Sequence, residues 1–454
     1  MVDMSRNAVM RPKIVIEMLR RLALMGMNTF MLYTEDTYEI PSRPYFGYMR
    51  GRYTKEEIRE IDTAARALGI ELVPCIQLLG HLSTMLNWSC TTPYKDTSAV
   101  LRVGAEETYR LIGEMLDTVA DCFSSRRLHM GMDETHDLGR GLYYDKNGYV
   151  PPRELYFSHL RRVSEMALSR GFRPMMWSDM FFRMSADDLP DYTDYDVRTN
   201  LPDNIADYLP AGVQPVFWDY YRANEEFYAV NLKNHEKLSK ETLFAGGVWA
   251  WSGFAVQPER SRRNSVPALN ACRKAGVKEV FVTVWHNGAE SFPYLGLCGA
   301  ALYAEYDYRG EDSPEAISSC LERACGLPYR VFTDMADVDY EQGLGSARAM
   351  LYNDPLLGML DRHVEPLDTE AYYTELTARL AACDLSAIPA DILPAFLVIK
   401  ELSETLLVKA DLGVCLKCAY DAGDRAAMEK LVSRCDTVKE RLASLRRAHR
   451  EAWM

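Results

Sequence analysis

The sequence predicts an α/β chain: a (β/α)8 TIM barrel over residues 1–300, followed by a mainly helical C-terminal domain over 301–454. Three observations carry that prediction. Eight short apolar segments, rich in β-branched residues, alternate with amphipathic stretches over about 290 residues, the size of such a barrel. The turn after the first segment reads SRNAVMRP, without the glycine-rich phosphate loop that usually opens a doubly wound sheet. From about residue 300 the strand pattern stops and helical periodicity takes over.

In order, the expected strands are VDMS at the start, NTFMLYTED (28–36), IELVPCIQLLG (70–80) and RRLHMGMDE (126–134). RPMMWSDM (173–180), VQPVFWDYY (213–221), LFAGGVWAWSG (243–253) and KEVFVTVWHNG (278–288) complete the set. Segments apolar on both faces and separated by helices indicate a parallel sheet. The intervening RPKIVIEMLRRLALMGM and TKEEIREIDTAARALG place apolar residues at i, i+3, i+4 and i+7. The second opens on Thr54 with Glu57 three residues on, a capping box, and stops at Gly69. Beyond 300, SPEAISSCLERACG, TEAYYTELTARLAACD, the run from PAFLVIKE to YDAG, and DRAAMEKLVSRCDTVKERLASLRRAHREAW read as four helical segments.

Composition narrows the function. A net charge of -13 argues against nucleic acid or an anionic membrane as partner, since both reward clustered Lys and Arg. No apolar run approaches the length of a membrane span, and MVDMSRNAVM holds no signal core. The expected location is cytoplasmic, with the 11 cysteines reduced and mostly structural. Cys415 and Cys418 form the one CxxC; without a second pair, zinc is not expected there. Only Met1 and Val2 precede Asp3, which suggests a fragment of a longer protein or a first strand cut short, leaving unpaired edges near 28–32 and 277–283.

Chemistry in such a barrel sits at the C-terminal ends of the strands. Arg6, Asp36, His81, Asp133, Glu134, Trp177, Asp179, Trp218, Tyr220, Trp249, Trp251, Trp285 and Glu290 all fall there. Five of the seven tryptophans lie at four consecutive strand ends, where Val, Ile and Leu normally fill the interior. Aromatic walls stacking on sugar rings would account for them, although any single Trp can simply plug the barrel mouth. Two acids in an aromatic pocket suggest glycosidic cleavage, because desolvation raises a carboxyl pKa enough to make a proton donor. Adjacent residues do not easily straddle a bond as two carboxyls from separate strands do, so the nucleophile is expected to come from the substrate.

At this point HMGMDE resembles the H-x-G-G-D-E signature of glycoside hydrolase family 20, the β-N-acetylhexosaminidases. DMSRN resembles that family's first-strand D-x-S-R, NTFMLYTED its second-strand segment ending in acids, and IQLLGH its third-strand P-G-H. MMWSDMF resembles the fifth-strand W-x-[DE]-x-F and VWHNGAE the last-strand Trp followed by an acid. The likeness covers about residues 1–295, and the helical remainder resembles C-terminal extensions in a bacterial branch of the family. It implies a retaining exo-enzyme in which the substrate's 2-acetamido oxygen attacks the anomeric carbon. It makes Asp133 the residue that orients the acetamido group and Glu134 the general acid and base. Arg6, Asp36, His81, Trp177, Trp218, Tyr220, Trp251, Trp285, Asn287 and Glu290 become the pocket, with His81 bonded to Asp36 and Glu134. Tyr221 is the register alternative to Tyr220. Met132 replaces the family's second glycine and Asn287 a glutamate whose contact Glu290 takes over. No cofactor and no metal are expected, although His81, Asp133 and His136 together could suggest a metal set; His129 reads as a core histidine. The expected partner is a glycan ending in β-linked GlcNAc or GalNAc, undecided between the two, with a homodimer left open. Rival readings are a non-catalytic sugar-binding barrel and a related barrel that releases a disaccharide.

Overall fold

A computed structural model describes residues 1–6, 9–186, 194–286, 291–340, 347–365 and 367–453. They fall into two compact units, Met1–Gly247 with Arg262–Val284, and Val248–Ser261 with Trp285–Met454.

Eight parallel strands close into a barrel in sequence order: β1 Val2–Asp3, β2 Thr29–Tyr33, β3 Glu71–Cys75, β4 Arg127–His129, β5 Arg173–Trp177, β6 Gln214–Trp218, β7 Leu243–Val248 and β8 Val280–Val284. Each strand ends earlier than its apolar run. Arg6, Glu35, Asp36, Gln77, His81, Asp133, Glu134 and Asp179 therefore stand beyond the strand ends, whereas Asp3, Tyr33, Trp177 and Trp218 are the last residues of theirs. Although β1 has two residues, it pairs with both neighbours, Val2 opposite Leu32 and Val284. Met4 N–H donates to Tyr33 O at 3.0 Å and Val284 N–H to Met1 O at 2.9 Å. This pairing closes the ladder at the C-terminal ends of β2 and β8, with the Met1 ammonium donating to Val282 O at 2.8 Å, and among the described residues β1 does not reach 28–31 or 277–281, where the open edge was expected.

Met31, Met130, Met175 and Met176 are buried, and in the barrel interior Trp177 lies against the His129 ring at 4.2 Å and Phe281 at 6.1 Å. Helix Lys55–Ala67 starts with the capping box expected at Thr54 and Glu57, both reciprocal bonds being present.

The second unit is mainly helical, including Leu297–Arg309, Pro314–Cys325, Thr369–Ala381, Leu393–Lys409, Leu412–Asp421 and Arg425–Trp453. The segment expected as one helix from 394 to 423 is two. At the break, Arg434 Nε donates to Val408 O at 2.7 Å, and a Cβ on Gly413 would meet the Pro355 backbone at 3.0 Å. Lys409, buried here, donates to Met350 O at 3.0 Å and Asn353 O at 2.9 Å, and burial lowers its pKa. The loop after β7 also belongs to this unit. Buried Asp339 accepts the N–H groups of Phe254 at 2.9 Å and Ala255 at 2.8 Å. Burial pushes its pKa up to about 6 despite those bonds. All 11 cysteines are free.

Candidate active site

The first unit gathers a charged network at the C-terminal ends of β1 to β5. It begins with Asp3, fully buried, whose Oδ1 accepts Ser5 N–H at 2.9 Å and Ser5 Oγ–H at 2.8 Å. Its Oδ2 accepts Arg6 Nη1 at 3.3 Å. Arg6 then spreads its donor fork: Nη2 reaches Tyr33 OH at 3.3 Å and His81 Nδ1 at 3.4 Å, and Nε faces Glu35 at 3.5 Å. Tyr33 OH donates to Glu35 at 3.1 Å while accepting from Gln77 Nε2 at 3.1 Å.

Asp133 is pinned from two sides. Gln77 Nε2 donates to its Oδ1 at 2.9 Å and His81 Nε2 lies 3.0 Å from its Oδ2. Gln77 also accepts Met132 N–H at 3.1 Å, so one amide fixes both the backbone and the carboxylate of the turn. Burial raises the Asp133 pKa, but the charge and hydrogen bond of His81, the Gln77 bond and Arg6 outweigh it and hold the carboxyl well below its usual range. Burial lowers His81, yet the charge and hydrogen bond of Asp133 outweigh that and take it to about 9. The Arg6 contact to Nδ1 at 3.4 Å needs a neutral imidazole, whereas the Nε2–H bond to Asp133 at 3.0 Å forms in either state; the Asp133 charge is what favours the second proton.

Glu134 is placed differently. Its side chain is 39% exposed, so its carboxyl reaches open space while Asp133 stays buried. The carboxyl lies 3.4 Å from His81 Nε2, and its backbone N–H donates to buried Asp179 at 3.0 Å. Asp179 also accepts the Trp218 indole N–H at 3.4 Å. Desolvation and the neighbouring Asp133 charge raise the Glu134 pKa, only partly offset by His81. The turn is strained. His81, Met132 and Glu134 have φ of 55°, 73° and 50°, a region non-glycine residues rarely enter, at about 1–3 kcal/mol each. Met132, where the resembling motif has glycine, adopts the backbone glycine favours. Gly131 itself has no room for a Cβ, which would collide with Gln77 Oε1.

Several expected residues stand elsewhere. Asp36 does not join His81; it is buried and ion-paired with Arg50 at 3.5 Å, and Glu35 takes the place beside Arg6. Successive side chains alternate in direction, so Tyr33 and Glu35 share one side and Asp36 the other. Trp177 is buried in the barrel interior with His129, whose pKa burial lowers to about 3. Trp218 stacks on Tyr220 at 5.4 Å, and the Tyr220 ring fills the space where Gly247 would carry a Cβ, 2.6 Å away. Tyr221 is half exposed, and the Glu134 charge adds to burial in raising its pKa. Trp251 and Trp285 fall in the second unit, where Trp251 stacks on Trp249 at 4.6 Å. Asn287 and Glu290 lie outside the described residues. Sequence reasoning missed Tyr33, Glu35 and Gln77, and gave Asp179 no role; spacing of two along β2 was the available signal for the first pair.

Among the described residues, His81, Asp133 and Glu134 form the one His/Cys/Asp/Glu group able to converge on an ion, with one donor atom each within 4.8 Å of the others. His136 stands apart, 4.0 Å from Asp194. Arg6, with Nη2 3.4 Å from His81 Nδ1, already brings a positive charge to this cluster, which disfavours a cation there.

Comparison with known proteins places the chain. Residues 1–221 match the sequence model of the glycosyl hydrolase family 20 catalytic domain, and 333–454 that of the glycoside hydrolase 20C C-terminal domain. The chain belongs to glycoside hydrolase family 20. It is 27% identical to human Hexosaminidase D over 305 residues, 63% of this chain and 55% of that protein. With bovine Hexosaminidase D it shares 25% over 252 residues, 51% of this chain and 64% of that protein. The matches thus span under two thirds of these relatives' lengths. The fold resembles a Flavobacterium johnsoniae chitobiase (TM-score 0.53, 16% identity, 99% of this chain and 77% of that one). It also resembles an exo β-N-acetylglucosaminidase from Vibrio harveyi (TM-score 0.50, 16%, 73% and 57%).

Proposed function

We propose that the chain is a retaining exo-β-N-acetylhexosaminidase that removes terminal GlcNAc or GalNAc with the substrate's own acetamido group as nucleophile. The observation that carries this reading is the division of labour between adjacent acids. Asp133 is buried, ionised and held by Gln77 and His81; Glu134 is solvent-facing with a raised pKa.

In the first step the acetamido carbonyl oxygen bonds to the anomeric carbon as the glycosidic bond breaks. Asp133 accepts the acetamido N–H and balances the positive charge on the forming oxazolinium ring. Glu134 gives its proton to the leaving oxygen. In the second step Glu134, now ionised, takes a proton from water, which opens the ring at the anomeric carbon and restores both the acetamido group and the original configuration. Arg6 offers its fork of donors to the sugar hydroxyls. This is one of the substrate-assisted exceptions to the two-carboxylate scheme. A lectin has no use for a carboxyl whose pKa is raised beside an ionised neighbour, which disfavours the non-catalytic rival.

Purified protein should hydrolyse 4-nitrophenyl β-GlcNAc or β-GalNAc, and a thiazoline mimic of the bicyclic intermediate should bind far more tightly than GlcNAc. Absence of hydrolysis with both glycosides, together with no thiazoline binding, would overturn the assignment. A reducing compartment suits the free cysteines, and a cytoplasmic site of action remains part of the proposal.

A further inference from the structure

The loops after β2 and β3 carry three aromatic rings that the site just described does not use. Tyr45 and Tyr48 lie 5.4 Å apart, and Trp88 lies 5.3 Å from Tyr48 and 6.1 Å from Tyr45. Tyr45 is 50% and Tyr48 44% exposed, so the cluster presents aromatic surface to solvent.

The display is built. Arg43 clamps Glu114 through Nε at 2.7 Å and Nη2 at 2.8 Å, fixing the base of the first loop. Gly47 turns with φ of 67° at a point where a Cβ would collide with Asp36 O. Met49 adopts φ of 59° without being glycine, so strain is stored beside Tyr48. Arg52 donates to the carbonyl of Phe46 and closes the turn.

Both loops start at the candidate active site. Arg50, two residues from Tyr48, pairs with Asp36 at 3.5 Å and donates to the carbonyl of Ser5, the neighbour of Arg6. On the other loop the chain from His81 coils through successive turns, with Leu86 N–H donating to Leu82 O at 2.8 Å and Trp88 N–H to Met85 O at 3.3 Å. Of these residues only Met85–Asn87 form a helical turn, a 3-10 one that ends at Trp88.

We propose that Tyr45, Tyr48 and Trp88 form a platform for the saccharide on the leaving-group side of the scissile bond. This rests on the hexosaminidase reading above. An exo-enzyme encloses the terminal sugar and leaves the following rings outside, against the loops that surround the site. Those rings present apolar C–H faces to aromatic walls and hydroxyls to the exposed tyrosine OH groups, while no charged partner is needed. The platform thus sets preference for long over short leaving groups and plays no part in bond cleavage.

The test compares kcat/KM for chitotriose and for 4-nitrophenyl β-GlcNAc in wild type, Tyr45→Ala/Tyr48→Ala and Trp88→Ala. The ratio of the two should fall about tenfold in each variant, the loss of one or two ring contacts. Trp88→Phe should restore most of it. Binding of chitotriose and of the thiazoline to the same variants in a Glu134→Gln background gives a readout independent of turnover. Chitotriose affinity should fall and thiazoline affinity hold. An unchanged ratio, or an equal fall of both substrates and both ligands, would overturn the platform. Wild-type chain that binds chitotriose through these rings but cleaves neither substrate would overturn the catalytic reading instead.

Discussion

Replacing Asp133 by Asn removes the charge that holds His81 protonated and leaves the burial that opposes it. Burial lowers the His81 pKa and Asp133 raises it, to a net value of about 9 against 6.5 for a free imidazole. The rise from 6.5 to about 9 corresponds to about 3 kcal/mol by which the folded surroundings as a whole, burial included, favour the protonated ring. In the Asp133→Asn variant, His81 should titrate at or below 6.5. The assay is NMR of ring-labelled histidine between pH 5 and 10, with the signal assigned by its loss in His81→Gln. Folding raises this pKa, so between pH 6.5 and 9 the folded chain keeps a proton that the unfolded chain has released. Stability from the pair is therefore full below 6.5 and is lost as pH rises through 9. Glu35, raised by burial to about 7, acts in the lower window from 4.5 to 7, and comparison with the variant separates the two. A His81 that titrates below 6.5 in the wild type would refute the reasoning. It would mean that Arg6 holds Nδ1 as an acceptor and the imidazole is neutral.

Three further outcomes follow from the same geometry. Glu134→Gln should lower kcat by about 10²–10⁴-fold on substrates with poor leaving groups and far less on dinitrophenyl glycosides; near-normal rates on both would remove Glu134 from the acid role. Asp179→Asn sets an amide N–H against either the Glu134 N–H or the Trp218 indole, and should cost about 1.5–3 kcal/mol of stability, read as a lower Tm. An unchanged Tm would show that Asp179 does not hold that turn. Activity should survive EDTA, since every proposed role belongs to a side chain or the substrate; loss restored by added zinc would return His81, Asp133 and Glu134 to the role of metal ligands.

The barrel and its order were legible because eight apolar runs recur between amphipathic helices, and burial on both faces leaves that mark in composition. Asp133 and Glu134 were legible because two acids ending a buried run need a reason. What the sequence hides is the phase of the chain once it leaves the ladder. Tyr33 to Asp36 reads as one segment, but the strand stops at Tyr33, and which of two adjacent acids turns inward depends on the pleat. Gln77 was hidden for the same reason, two residues past the end of β3. Met132 and Glu134 are not residue types that announce a left-handed backbone, so the reversals on either side of Asp133 were not foreseeable. Tryptophan at a strand end proved ambiguous too: Trp177 packs in the interior, and the loop with Trp249 and Trp251 belongs to the second unit, held by Asp339.

The central claim is that the oxygen of the substrate's acetamido group, a group oriented through its N–H by Asp133, is the nucleophile. It is tested most directly by kcat/KM for 4-nitrophenyl β-glucosaminides bearing acetyl, fluoroacetyl, difluoroacetyl and trifluoroacetyl groups on nitrogen. Each fluorine withdraws electrons from the attacking oxygen and leaves the leaving group unchanged. A steep, monotonic fall along the series is the predicted result. A flat series, with the unsubstituted β-glucoside cleaved as fast as the acetamido sugar, would contradict it.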